Sequence, residues 1–412
     1  MQTEDQKILD NQLFECIKKG DIPKIEMLLI LGADLNALDN QKRKPLYNVC
    51  DVKTLEYLLE KGVDVNSVID ENNGFNLLCS LCKRKAEDDF EGRYDLIKYL
   101  RDNGGKIETK KAKDRGFDNA LSIAVCNFDL EALKILLEKY DINTKSSHDR
   151  NLLMEVLECS CFSFKTMNEY KDAVEVAEYL IDEGIDIKAV DEYGMNAVFF
   201  ATKDEKILRK VIDKGGDVNC ISKYGVTPLS FLIDRAPFHE KGAVKVLLEN
   251  GANPNLGLIK GEPILTTAIE RNVDENDIVM MIEKGADVNK KNSRGDTPLL
   301  CAVGDGPIQK KVAKKLIEQG ADINVVHERM GYEEQNALSY ALYKGDDELC
   351  FMLLEKECKI LPNDWEFIDD SKKYKIKKML ELISYRKKAK EKEDGAVKES
   401  IAARIFKGRF KQ

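Results

Sequence analysis

The sequence has few of the residues on which most catalytic and cofactor sites depend. Its 412 residues include only three histidines and one tryptophan, which leaves little material for histidine-based catalysis or for an aromatic cofactor cage. No apolar run approaches the roughly 18 residues that a membrane-spanning helix needs. The polar, acidic start, residues 1–7, does not have the pattern of a secretory signal. These absences favour an intracellular protein that is not an enzyme.

Cysteine is not scarce, but its pattern is unlike that of a secreted protein. Eleven is an odd number and the spacings are irregular, which argues for reduced thiols and against a disulfide framework. Cys79 with Cys82, and Cys159 with Cys161, could suggest zinc, but each pair lacks a second ligand pair at zinc spacing. We therefore expect that the protein binds no metal or cofactor and is located in the cytoplasm. Delivery into a host cell stays an open alternative.

Charge is distributed unevenly along the chain. The net charge is −9. Residues 371–412 hold 15 Lys/Arg and 5 Asp/Glu, a net of +10, and the remainder holds 50 Lys/Arg and 69 Asp/Glu, a net of −19. The sequence therefore predicts an acidic body that carries a basic tail.

Two short phrases recur in a fixed order. The first, in its fullest form Gly-Ala-Asp-x-Asn, occurs at 32–36, 62–66, 215–219, 251–255, 285–289 and 320–324. From Asn219 onward its closing asparagine returns after 36, 34 and 35 residues. The second phrase, Thr-Pro-Leu, follows at Thr227 and Thr297 and has looser versions elsewhere. A repeat of this length indicates a stacked repeat protein.

Each phrase has a structural meaning. A threonine before proline predicts a helix N-cap with proline at the first helical position. A glycine after a Leu-Leu-Glu run predicts the left-handed residue that ends a helix. A repeat of about 33 residues with one apolar face cannot bury that face alone, so successive repeats must stack into one continuous core.

On these phrases the chain resembles the ankyrin repeat family. The resemblance implies an all-α fold, an α-solenoid of about ten helix-turn-helix repeats joined by β-hairpin-like loops, over roughly residues 10–361. The expected organisation is an N-terminal capping repeat at 1–38, the array at 39–361, C-terminal capping helices at 362–385 and a basic amphipathic tail at 386–412.

The chain also departs from the family pattern. The family usually has a histidine after Thr-Pro-Leu that hydrogen-bonds between repeats, and no position here has it, so we expect that bond to be missing. The cap glycine is replaced at Lys139 and Glu357. Insertions at 83–93 and 158–172 are expected to be loops between first and second helices. Neutral drift and an added contact surface are both open interpretations of them.

The function expected from the resemblance is protein binding through the hairpin tips and the concave face. We predict a non-enzymatic scaffold, either an adaptor, an effector or a regulatory or inhibitory binding protein, whose partner is a protein. The candidate partner-binding residues are Arg43, Phe75, Tyr193, Met195, Tyr224, Val226 and Arg294. Four of them fall at two neighbouring tips, where they form an apolar patch or simply pack on each other.

The tail gives the alternative function. Val397, Ile401 and Ile405 lie at helical spacing, with Phe406 and Phe410 on the next row, in a segment of net charge +6. Such a basic amphipathic helix fits three roles. It can be a solvated extension, it can dock on the acidic body or on another acidic protein, or it can tether the chain to nucleic acid or an anionic membrane.

Overall fold

The structure, a computed structural model, describes most of the chain. The described residues are 4–84, 90–108, 119–146, 148–162, 167–235, 242–304, 306–327, 334–365, 374, 376–383 and 385. Side chains are not described at 160–162, 167, 363 and 365. The predicted tail, at 386–412, lies outside the described residues and stays a prediction, as does the division of the chain into a cap, an array and a tail.

The regular secondary structure of the described residues consists of short α-helices arranged in pairs, which confirms the all-α prediction. The first eleven are α1 Glu4–Lys19, α2 Ile22–Ile30, α3 Val52–Glu60, α4 Leu77–Lys83, α5 Arg93–Asp102, α6 Ala120–Cys126, α7 Leu130–Leu137, α8 Leu152–Phe162, α9 Met167–Asp182, α10 Ala197–Ala201 and α11 Glu205–Asp213. They are followed by α12 Pro228–Asp234, α13 Ala243–Glu249, α14 Ile264–Glu270, α15 Glu275–Glu283, α16 Pro298–Val303, α17 Lys310–Glu318, α18 Ala337–Lys344 and α19 Asp347–Glu355. Short 3₁₀ turns lie at Pro45–Asn48 and Pro362–Trp365.

The chain divides into two compact units. The first comprises Met1–Tyr224 with Glu240–Val246, and the second comprises Gly225–His239 with Leu247–Gln412. Within the first unit, helices α4, α6, α8 and α10 pack in series, and so do α5, α7, α9 and α11. Within the second, α12, α14, α16 and α18 form one such row, and α15, α17 and α19 form the other. Each unit is therefore a stack of helix pairs with a continuous core, as a solenoid requires.

Hairpin-like loops connect the helix pairs. In the described residues their pairing is limited to isolated antiparallel bridges, such as Arg43 with Asp70, Val190 with Asn196 and His327 with Gln335. The predicted β-hairpin-like loops are therefore present without extended strands.

The insertion expected as a loop at 158–172 is largely helical. Helix α8 continues to Phe162 and α9 begins at Met167, so the extra residues lengthen the helices of that repeat. The turns after the insertion hold this helix in place, since Ala173, Val176 and Leu180 are buried on one face of α9. The other insertion, at 83–93, falls partly outside the described residues.

Asparagine replaces threonine as the helix cap in most repeats. The side-chain oxygen of Asn76 accepts the Cys79 N–H at 2.9 Å, and that of Asn336 accepts the Ser339 N–H at 3.0 Å. The predicted caps Thr227 and Thr297 are confirmed as well, since they accept from Ser230 and Leu300. Asn76, Asn119, Asn196 and Asn336 begin looser versions of the Thr-Pro-Leu phrase, but their capping role was not predicted.

The same asparagines connect successive repeats. The Nδ2 group of Asn76 donates to the Lys106 carbonyl, and that of Asn336 donates to the Lys359 carbonyl, both at 2.8 Å. Asn151 and Asn196 make equivalent bonds. An inter-repeat hydrogen bond from the cap residue is therefore present, although the family histidine that would supply one is absent.

A second row of asparagines closes the Asp-x-Asn phrase and bridges repeats from outside the core. Asn255 donates from Nδ2 to the Gly285 carbonyl and accepts the Asp287 N–H at Oδ1, both at 2.8 Å. Asn66 and Asn289 each make the same two contacts with the following repeat. The preceding Asp or Asn side chain accepts the asparagine's own N–H, for example at 2.9 Å between Asn253 and Asn255, which holds the turn in shape.

Left-handed residues end the helices where glycine was predicted. Gly32, Gly62, Gly251 and their counterparts have φ between 84° and 97°. Glu357, which occupies a glycine position, also has a positive φ of 66°. A residue with a Cβ in this region costs about 1–2 kcal/mol, so the α19 terminus carries local strain.

We predict that Glu357→Gly protects α19 from local opening by about 1 kcal/mol, because glycine removes this strain. Native-state hydrogen exchange of the α19 amides measures the change. The matched control is Lys356→Gly, one residue earlier, where φ is −88° and glycine should instead cost about 0.5–1 kcal/mol. Equal effects of the two variants would contradict the inference that the backbone at Glu357 is strained.

We also predict that Asn255→Ala lowers the local stability of the neighbouring repeats by about 1–2 kcal/mol, because it deletes both bridging hydrogen bonds. Hydrogen exchange of the α14 and α15 amides is the measurement. Lys290→Ala, an exposed change in the same unit, should stay within about 0.5 kcal/mol. Indistinguishable exchange in the two variants would show that the bridge adds nothing.

Candidate partner-binding surface

A carboxylate shapes the first of two neighbouring hairpin tips in the first unit. Asp191 is buried, and its Oδ1 accepts the N–H groups of Tyr193 at 2.9 Å and Met195 at 2.8 Å. Gly194 between them has a φ of 77°. The tip is therefore a tight turn that presents the Tyr193 side chain.

The next tip is joined directly to this one. The Lys223 N–H donates to the Tyr193 carbonyl at 2.8 Å. A Cβ on Gly194 would lie only 3.3 Å from the Lys223 nitrogen, so the close approach favours glycine there. The two tips are held in a fixed relative position by their backbones.

Four side chains on these tips form the tyrosine patch, which we define as Val190, Tyr193, Ile221 and Tyr224. The rings of Tyr193 and Tyr224 are stacked with centroids 6.1 Å apart and an interplanar angle of 27°. Tyr224 remains 69% exposed, Ile221 52% and Val190 41%. Large apolar side chains grouped on adjoining tips mark a contact site more often than isolated ones do.

Polar groups border the patch. The His148 Nδ1 atom lies 2.8 Å from a Glu192 carboxylate oxygen, and the hydrogen bond between Tyr193 and the Glu192 carboxylate raises the pKa of Tyr193. The Tyr193 hydroxyl is therefore protonated at neutral pH and donates its hydrogen bond to Glu192. An apolar centre with polar neighbours is the usual anatomy of a protein interface.

Comparison with protein families decides what kind of repeat this is. The model of ankyrin repeats matches three overlapping stretches, 166–258, 236–327 and 265–364. Residues 166–364 are therefore ankyrin repeats. The crystal structure of the human ASB11 ankyrin repeat domain is similar, with 17% identity, a TM-score of 0.43 and coverage of 58% of this chain and 96% of that one. A search of curated protein sequences finds no match.

In the part of the chain that the structure describes, no helix has the length and apolar character needed to cross a membrane.

The residues predicted to bind a partner in this ankyrin array differ in their burial and in their contacts. Phe75 is only 4% exposed, so it belongs to the core and is removed from the surface prediction. Its backbone pairs with Asp70 across the hairpin, a position that turns the side chain inward. Arg43 is half-buried, bound to Asp39 with its guanidinium 4.5 Å from the Tyr47 ring centroid. These contacts give Arg43 a structural role in its own hairpin.

The remaining candidates differ in exposure and in unit. Met195 is half-buried beside Tyr193 in the first unit. Val226 and Arg294 belong to the second unit, where Val226 is half-buried and Arg294 is exposed and paired with Glu270 and Asp296. The structure adds Val190 and Ile221, which the sequence analysis missed. They occupy the same hairpin position 31 residues apart, as do Tyr193 and Tyr224, and that spacing was the available signal.

The ankyrin repeats also bring together a possible metal-ligand set. Cys126, Glu155 and Cys159 place their ligand atoms within 4.8 Å of one another. The two sulfurs are joined as a disulfide, with Cα atoms 5.7 Å apart, so a metal ion could bind here only after reduction. The expectation of fully reduced thiols is thus not met at this pair. Its separation of 33 residues is about one repeat length, and the bond joins the last residue of α6 to α8 of the following repeat.

The other close cysteine pair is part of the ankyrin core. Cys79 and Cys82 on α4 are fully buried and free. Burial raises the pKa of the Cys82 thiol to about 12 and that of Cys79 well above its ordinary value. Neutral, buried thiols behave as small apolar side chains.

We predict that Cys126→Ser lowers the free energy of unfolding by up to about 3–4 kcal/mol, because the disulfide closes a loop of one repeat. Urea unfolding without reductant measures the loss. Cys16→Ser, at a free and half-exposed cysteine, is the control and should cost less than about 1 kcal/mol. Rapid alkylation of Cys126 and Cys159 in the native, unreduced protein would show that the disulfide is not formed.

Proposed function

We propose that this chain is a non-enzymatic scaffold that binds a protein partner through the tyrosine patch. Ankyrin repeats are in general protein–protein interaction modules and are typically not enzymes. The observation that carries the proposal is the stacked pair of half-buried Tyr193 and exposed Tyr224, on tips that also carry the exposed Val190 and Ile221.

The competing interpretation is that the tip side chains only pack on each other. Stacking on Tyr193 leaves more than two thirds of the Tyr224 side chain exposed. Burying an aromatic ring of this size contributes strongly to an interface, and tyrosine is enriched among binding hot spots. The remaining exposed area therefore favours a contact beyond the chain.

Preorganisation supports the same proposal. The bond from Lys223 to the Tyr193 carbonyl and the bonds accepted by Asp191 hold the two tips before any partner arrives. A surface that is already ordered loses less conformational entropy on binding. The patch is thus suited to specific contact.

We predict that Tyr193→Ala and Tyr224→Ala each weaken partner binding by at least about 1 kcal/mol, roughly a fivefold rise in Kd. The partner is first captured by a photo-crosslinking amino acid at position 224 and identified by mass spectrometry. Its affinity for the wild-type chain and the variants is then measured by calorimetry.

The control is Tyr343→Ala, which removes a tyrosine of similar exposure, 66%, from α18 in the second unit. It should leave the affinity unchanged. Circular dichroism of all three variants checks that they are folded. If folded Tyr193→Ala and Tyr224→Ala variants bind as tightly as the control, the patch is not the binding surface.

A further inference from the structure

Two cysteines and a carboxylate converge at the boundary between two repeats of the first unit. Glu155 and Cys159 are four residues apart on α8, so they lie on one face of that helix, one turn apart. Cys126 reaches them from the last residue of α6, which packs against α8. The Cys126 Sγ and Glu155 Oε2 atoms are 3.9 Å apart, and the ligand atoms of all three residues lie within 4.8 Å of one another.

Glu155 is an unusual residue for its position in the repeat. It lies four residues after the cap residue Asn151 and is only 6% exposed. The equivalent positions hold Ser80 and Ile123 in the two preceding repeats and Phe200 in the following one, so packing of the first helix does not require a carboxylate there. Its place beside the two sulfurs is therefore a feature of this repeat and not of the repeat pattern.

Three donors of this kind match the ligand preferences of Zn²⁺. Zinc is held at about 2.3 Å by thiolate sulfur and at about 2.0–2.2 Å by carboxylate oxygen, in a tetrahedral arrangement. Two such ligands are then about 3.5–3.8 Å apart, which is close to the separation of the Cys126 Sγ and Glu155 Oε2 atoms. A carboxylate among the ligands favours Zn²⁺ over Cu(I), because Cu(I) prefers sulfur ligands.

The disulfide decides when these donors are available. In the oxidised chain Cys126 and Cys159 are bonded to each other, whereas zinc takes cysteine as the thiolate. A dithiol reductant supplies two electrons and two protons, its own sulfurs become a disulfide, and the bond between the two cysteines gives way to two thiols. Zn²⁺ then replaces the two thiol protons, which are released to solvent.

A pocket gives a metal ion a route to these ligands. It has a volume of about 560 Å³, and Cys126 is part of its wall. Its other ionisable lining residues are five acids, Asp129, Glu131, Glu169, Asp172 and Glu175, and three bases, Arg84, Arg93 and Lys134. The pocket provides an entry path and space for the water that completes a four-coordinate site.

We propose that the reduced chain binds one Zn²⁺ ion through Cys126, Glu155 and Cys159. The same two cysteines then join neighbouring repeats by a disulfide when oxidised and by a metal ion when reduced. Glu155 is the residue that distinguishes this site from a simple pair of thiols. The inference does not depend on the tyrosine patch.

Protection of the individual thiols by zinc tests the site. The full chain is reduced with a phosphine, freed of metal with a chelator and given one equivalent of Zn²⁺ or none. Both samples are treated briefly with iodoacetamide under native conditions, and mass spectrometry of the digested chain gives the labelled fraction of each cysteine. Zn²⁺ should slow the labelling of Cys126 and Cys159 at least about tenfold, because a metal-bound thiolate is withheld from the reagent. The labelling of Cys16, a free and half-exposed cysteine, should not change.

Competition with a chromogenic chelator then gives the Kd of the chain for Zn²⁺. Glu155→Gln keeps both cysteines and the shape of the side chain, and it should raise the Kd of the reduced chain at least about tenfold. The matched control is Glu175→Gln, which removes an exposed carboxylate of the pocket wall and should leave the Kd within about twofold. The oxidised wild-type chain keeps its other thiols, so zinc that binds only after reduction belongs to the Cys126 and Cys159 pair.

Three results would overturn the proposal. The first is equal labelling of Cys126 and Cys159 with and without Zn²⁺, and the second is equal zinc affinity of the oxidised and reduced chains. The third is an unchanged Kd in a folded Glu155→Gln variant, because zinc would then be held by the cysteines alone. Circular dichroism establishes that the variants are folded, and the labelling of the wild-type chain decides if Glu155→Gln is not.

Discussion

The asparagine bridge between successive repeats is the contact on which the rest of this structure depends. Each repeat has an apolar face that only its neighbour can cover, and apolar burial has no direction of its own. The bonds from Asn255 to Gly285 and Asp287 are directional and fix how one repeat sits on the next. The buried caps, such as Asn336, add a second bond on the core side. Together they determine the spacing at which the hairpin tips follow one another.

The tyrosine patch follows from this spacing. Tyr193 and Tyr224 are 31 residues apart in the chain, yet their rings stack because the backbone of one tip is bonded to that of the next. The cap and turn asparagines, such as Asn76 and Asn255, likewise find partners across the repeat boundary.

Much of the local structure could be predicted. The Thr-Pro caps, the left-handed glycines and the helical pairs depend on interactions within a few residues, and these are visible in the sequence. The asparagine caps were not predicted, although Asn76 and Asn336 precede the same apolar helices. Their second bond, to the next repeat, is seen only once the repeats are stacked. The insertion at 158–172 was expected to be a loop, and it is helical because neighbouring helices give α9 a surface to pack on.

The sequence by itself determined the repeat, its length, the Thr-Pro caps and the left-handed glycines, because each depends on short phrases that recur. Only the tertiary structure decided which side chains face outward and which distant atoms meet. Phe75 and Tyr224 both looked like tip residues, yet one is buried and the other exposed, since a single position in a hairpin changes the direction of a side chain. Cys126 with Cys159, and Asp296 with His327, come together across a repeat boundary. Such pairs depend on how the repeats stack, which short recurring phrases do not specify.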